Sequence, residues 1–111
     1  MYEKAIEDLN KAIEIRGGMR ASLCYNSLSE IYKKLKKYND ALFYCNKAIE
    51  TANKDSYMNM HYYFDRGQIN EALGQYENAI KDYTQAKRLD PNGIIGDASE
   101  AKIEIILSKK N

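Results

Sequence analysis

One proline and six glycines among 111 residues are too few to supply the turns of an all-β domain of this length, so helices are expected. An excess of one charge is missing too. Seventeen Lys and Arg against sixteen Asp and Glu leave a net +1, and no global field would hold the chain on nucleic acid or an anionic membrane. No apolar run approaches the ~18 residues of a membrane span, and the opening MYEKAIEDLNKAIEI is charged throughout, unlike a secretory leader. The expectation is a cytoplasmic protein with neither a nucleic-acid nor a membrane partner. Cys24 and Cys45 do not form a CxxC and fall inside apolar helical patterns, so they read as small core residues rather than a disulfide.

Motifs that carry chemistry are equally scarce. His61 is the single histidine, and no Ser/His/Asp or Cys/His arrangement can be named around it. The sequence has no HExxH, no paired Cys/His metal spacing and no Gly-rich phosphate loop, and Arg16-Gly17-Gly18-Met19 reads as a helix stop and turn. No catalytic residue, cofactor or metal is therefore expected. Lys33-Lys34-Leu35-Lys36-Lys37 is the one charge run. Its form fits a nuclear-import or polyanion patch, but a helix end, where cations favour the dipole and solvent takes the rest, accounts for it better.

What the chain has in abundance is self-similarity. Tyr2-Glu3-Lys4-Ala5-Ile6, Tyr38-Asn39-Asp40-Ala41-Leu42 and Tyr76-Glu77-Asn78-Ala79-Ile80 recur at offsets of 36 and 38 residues, each continuing to a second small-residue cluster at Ala12, Ala48 and Ala86. Within each segment Ala5, Leu9, Ala12; Ala41, Cys45, Ala48; and Ala79, Tyr83, Ala86 share one helical face through spacings of four and three. Faces built on alanine let another helix approach closely. Ahead of two segments stands a further helical pattern, Tyr25-x-x-Leu28-Ser29-x-x-Tyr32 and Tyr63-x-x-Arg66-Gly67-x-x-Asn70, separated from its partner by a short turn suited to an antiparallel hairpin.

In these residues the chain resembles the tetratricopeptide repeat family, whose first helix carries an aromatic, Leu-Gly and Tyr, and whose second carries Ala, an aromatic, Ala and a closing Pro. Ser29, Cys45 and Asn70 depart from that pattern, and only Asp90-Pro91-Asn92 keeps the proline. The resemblance implies an all-α, right-handed solenoid of helical hairpins, about two and a half repeats plus a capping helix. Helices are expected near 2–16, 20–35, 38–53, 57–73, 76–89 and 96–109. The chain would form one domain over 1–111: an unpaired second helix at 1–16, repeats at 22–55 and 60–93, and a cap at 96–109 with Ala98, Ala101 and Ile105 on one stripe. Most of the ten tyrosines fall on packing positions, with Tyr2, Tyr38 and Tyr76 opening second helices and Tyr25, Tyr32, Tyr63 and Tyr83 in aromatic seats.

Two constellations stand out. Where one repeat has Leu28 and Tyr44, the other has Arg66 and Asp82, so the two positions change together from apolar to ionic and a structural ion pair across the hairpin is expected. The second is the working surface, which in this family is a groove lined by first helices. Helical geometry assigns to it Leu23, Asn26, Ser27, Glu30, Lys33 and Lys34 from one helix and His61, Phe64, Asp65, Gln68 and Glu71 from the next.

The family's clamp for a chaperone's C-terminal carboxylate uses Lys, Arg and Asn. Glu30 and Asp65 stand where an Asn and an Arg are expected, and two acids repel a carboxylate. The resemblance then implies protein binding in the groove, with a partner peptide or helix carrying basic residues as the preferred ligand. The alternative is an assembly segment acting through its ends. Asp8 sits at the register of Asp82 with no arginine helix before it, so the stripe Ala5, Leu9, Ala12 would lie open and favour a longer array or a homo-oligomer.

Overall fold

The computed structural model describes residues 2–16, 18–53 and 58–109, the side chains of 16–20 aside, and every regular element among them is a helix. In chain order they are α1 (Tyr2–Arg16), α2 (Gly18–Lys34), α3 (Tyr38–Thr51), α4 (Asn59–Ala72), α5 (Tyr76–Leu89) and α6 (Ile94–Lys109). They form two compact units, Met1–Lys54 with α1 to α3 and Asp55–Asn111 with α4 to α6. In the first unit α2 packs against both α1 and α3; in the second, α5 packs against both α4 and α6. None of the described helices is long and apolar enough to cross a membrane.

Each full hairpin closes in the same way. Residues 35–37 and 73–75 carry the chain from first to second helix, with Lys36 at φ 61° and Gly74 at φ 76° in the left-handed region. The Lys36 N–H donates to the Lys33 carbonyl and Lys37 N–H to that of Tyr32; Gly74 and Gln75 repeat these bonds to Glu71 and Asn70. This is the Schellman closure, which satisfies carbonyls the helix end would leave bare. The chain then turns back, and the alanine faces meet the first helices: Ala41, Cys45 and Ala48 on α3, and Ala79, Tyr83 and Ala86 on α5, are fully buried.

The two hairpins solve their close approach with different pairs of residues. A Cβ added at Gly67 would lie 2.7 Å from the ring of Tyr83, so glycine is what lets the buried tyrosine seat against α4. In the first hairpin the second-helix residue is the smaller Cys45, and the Ser29 opposite has room to donate its hydroxyl to the Ala41 carbonyl at 2.9 Å.

Several details differ from the sequence expectations. Gly18 and Met19 belong to α2 and not to a turn, since α2 already starts at Gly18. Gly17 and residues 54–57, where the repeat expected at 22–55 ends and the helix expected at 57–73 begins, lie outside the described residues. Among the described residues Tyr62 and Tyr83 are the two fully buried tyrosines, whereas Tyr25, Tyr32, Tyr38 and Tyr63 are half-buried and Tyr2 and Tyr76 exposed. A phenol at such a seat buries its ring and keeps its hydroxyl wet. Cys45 is core, but Cys24 is only half-buried; neither is in a disulfide.

The α6 stripe departs furthest from expectation. Its buried residues are Gly96, Ser99 and Ile106, while Ala101 and Ile105 face outward. Asp90, itself buried, accepts the Gly96 N–H at 3.1 Å in the first turn of a helix that starts at Ile94, and Ile103 and Ile106 pack with Ala79 and Tyr83 of α5. Lys87 then pins the outer side through Glu100 at 2.9 Å and Asp97 at 3.6 Å.

Candidate protein-binding site

Within the first unit the candidate residues lie along α2. Leu23 is 54% exposed. Ser27 and Lys34 are exposed, and Asn26, Glu30 and Lys33 half-buried. Glu30 and Lys33 pair at 3.2 Å one turn apart, which fixes the carboxylate on the helix surface and neutralises part of its field. Asn26 Oδ1 is shielded from solvent and accepts no hydrogen bond among the described residues.

In the second unit the candidates lie along α4, where His61, Phe64, Asp65, Gln68 and Glu71 are all half-buried. Phe64 and Glu71 are engaged with Tyr83. The ring of Phe64 sits 5.6 Å from that of Tyr83 and packs on the core cluster, so it is less available as an apolar contact than its position in the sequence suggests. Glu71 accepts the Tyr83 hydroxyl at 2.8 Å, and burial together with this bond pushes the Tyr83 pKa well above its ordinary value. Between α4 and α6 runs an open crevice lined by Gln68, Glu71, Ala72 and Lys102. Lys102 and Ala72 were not anticipated, because their place depends on how α6 lies against α4 and no local pattern reports that.

The ionic constellation lies beside this surface. Arg66 grips Asp82 with two bonds, NH2 to Oδ1 at 2.7 Å and Nε to Oδ2 at 3.0 Å, a planar bidentate pair. Asn70 adds a third donor to Oδ2 at 2.9 Å, and the Arg66 guanidinium lies 5.4 Å from the Tyr63 ring centroid. The sister hairpin has Leu28 at the place of Arg66 and aromatics around it: Tyr44 stacks on Tyr32 at 5.4 Å and on Tyr25 at 6.3 Å. Asn70 departs from the repeat pattern together with Asp82: its amide donates to the carboxylate where the sister hairpin stacks Tyr32 on Tyr44. Among the described residues no group of three His, Cys, Asp or Glu could hold a metal ion.

Comparison with known proteins agrees with these hairpins. The tetratricopeptide repeat family matches residues 23–55 and again 62–92, together more than half of the chain, and each match covers one first helix, its turn and its second helix. The chain belongs to the tetratricopeptide repeat family. It is 36% identical over 73 residues to the tetratricopeptide repeat protein 4 homolog of Dictyostelium discoideum, covering 66% of this chain and 18% of that protein. It is 33% identical to the TPR repeat-containing thioredoxin TDX of Arabidopsis thaliana, over 86% of this chain and 23% of the relative. With serine/threonine-protein phosphatase 5 of Mus musculus it shares 32% identity, over 82% of this chain and 17% of the relative. The chain therefore spans about a fifth of the length of these relatives. Repeats of this family generally mediate protein–protein contacts and serve as scaffold modules rather than catalysts.

Proposed function

We propose that the chain is a protein-interaction module that binds a partner peptide or helix bearing Lys or Arg, the candidate contacts being the predicted groove residues of α2 in one unit and those of α4 in the other. The observation that carries this reading is the polarity of those faces. Glu30, Asp65 and Glu71 put three carboxylates on these faces against the two cations Lys33 and Lys34, Asn26 and Gln68 add amides, and Leu23 offers exposed apolar surface. Basic side chains suit such a strip and a terminal carboxylate does not, because like charges on a partly desolvated surface repel. No catalytic step is needed.

The test is peptide binding by the chain and by its Glu30→Lys, Asp65→Lys double variant. Phe64 is left intact because it packs on Tyr83. A Lys- and Arg-bearing peptide captured by the parent chain is expected to bind the double variant at least tenfold more weakly, while a peptide ending in acidic residues gains. Unchanged capture of the basic peptide would refute the reading.

A second reading, an assembly segment acting through its ends, is favoured by one comparison. Ala5, Leu9 and Ala12 of α1 are only half-buried, although their counterparts on α3 and α5 are completely covered. Under this reading Leu9→Glu abolishes association, and the groove double variant has no effect on it.

A further inference from the structure

Helix α6 is apolar on two opposite sides. One side packs inward, with Gly96, Ser99 and Ile106 buried and Ile103 packed with Ile106 against Ala79 and Tyr83. On the other side Ile94, Ala101 and Ile105 follow one another at spacings of seven and four, which place them on one line along a helix. Ile94 is 86% exposed and Ile105 48%. A helix that is apolar around so much of its circumference is ordinarily covered on both sides.

The repeat itself says what kind of cover fits. The family period of about 34 residues sets Gly96 and Ile103 at the places of Tyr62 and Ile69, and these are inward-facing positions on both helices. In the same register Ala101 takes the place of Gly67 and Ile105 that of Glu71. On α4 those two residues are the ones that receive Tyr83, Gly67 by admitting its ring and Glu71 by accepting its hydroxyl. The open side of α6 is thus the side on which a first helix seats a second helix.

Charge then selects the occupant. Where α4 presents Arg66 and Asn70 to Asp82, the register places Glu100 and Glu104 on α6, with Asp97 next to them. Lys87 reaches Glu100 and Asp97, yet their side chains remain 56% and 72% exposed. The polarity of the seat is reversed, so an incoming helix must bring a cation to the position that Asp82 holds on α5. A second copy of this chain cannot do so with α1, which would bring Asp8, nor with α6, which would set acids against acids. The size of the knob is also set: glycine at this point admits a tyrosine and serine faces a cysteine, so Ala101 suits an intermediate, Leu-sized side chain.

We propose that the outer side of α6 is a docking seat for an amphipathic helix of another protein, with a Leu-sized residue over Ala101 and, directly before it, a Lys or Arg facing Glu100 and Glu104. This seat is separate from the groove, and Asp65→Lys leaves it unchanged.

The probe is a fluorescent peptide of residues 76–89 carrying Asp82→Lys and Tyr83→Leu. Lysine at 82 also bars the peptide from exchanging into α4, where it would meet Arg66. Anisotropy titration of the chain should show binding, with amide shifts confined to α6. A control peptide with Asp82 retained should bind at least tenfold more weakly, and so should the lysine peptide to an Ile105→Glu chain. The proposal is overturned if the lysine peptide does not bind, if both peptides bind alike, if Ile105→Glu has no effect, or if the shifts fall on α2 and α4. Sedimentation of the chain alone supplies the other arm: self-association lost on Ile105→Glu would assign the seat to a second copy and overturn the partner proposed here.

Discussion

Asp82 is buried with three donors converging on its two oxygens, and its counterpart Tyr44 is stacked between two other tyrosines. The exchange was visible in the sequence because both positions changed together; the third donor, Asn70, was visible only as a departure from the pattern. Removing the cation alone should be costly. Arg66→Leu is expected to destabilise the chain by about 3 kcal/mol, the lower end for breaking a buried pair, since Arg66 itself keeps some contact with water. Chemical denaturation measures it, and a loss below about 1 kcal/mol would make the pair a surface one. Tyr83 gives a pH-dependent counterpart. Its phenol is neutral when protonated and its folded pKa lies above the ordinary 10.0, so its contribution is fully present below pH ~10 and is lost as pH rises through the folded value. Tyr83→Phe is expected to flatten the alkaline limb of the stability profile, at the expense of the bond to Glu71.

The helices themselves were legible because alanine spacing, tyrosine openings and short turns all point the same way. Register around a helix was not: Tyr62 is the buried neighbour of the half-buried Tyr63, and one residue, or 100° of rotation, separates them. The orientation of α6 was equally hidden, since its apolar residues fall on two sides and the packing of Ile103 and Ile106 against Ala79 and Tyr83 decides which is buried. At the hairpin turns the two repeats allow a matched comparison. Lys36 occupies the left-handed conformation that Gly74 occupies in the sister turn. A side chain there is strained by about 1 kcal/mol, so Lys36→Gly is expected to raise stability by about that amount and Gly74→Ala to lower it similarly. Thermal or urea midpoints moving in opposite directions for the two variants would support this; a fall for both would not.

At the scale of the whole molecule, each unit is built as a hairpin with one helix more, and the extra helices α1 and α6 carry the least covered apolar surface. The candidate surface on α2 and α4 was assigned from 3.6-residue geometry, but tertiary packing decides which members are free to bind. Phe64 and Glu71 are drawn toward Tyr83, while Leu23 stays outside. The partner's charge is the central claim about what the chain does. Titration calorimetry of a Lys- and Arg-bearing peptide against the chain, at 50 and at 500 mM salt, tests it most directly, because exposed charge pairs are screened within about 8–10 Å near physiological ionic strength. Affinity is expected to fall at least fivefold in the higher salt, and Glu30→Lys with Asp65→Lys should remove that dependence. Affinity unchanged by salt, with the double variant binding as the parent does, would contradict recognition of a basic partner by these faces.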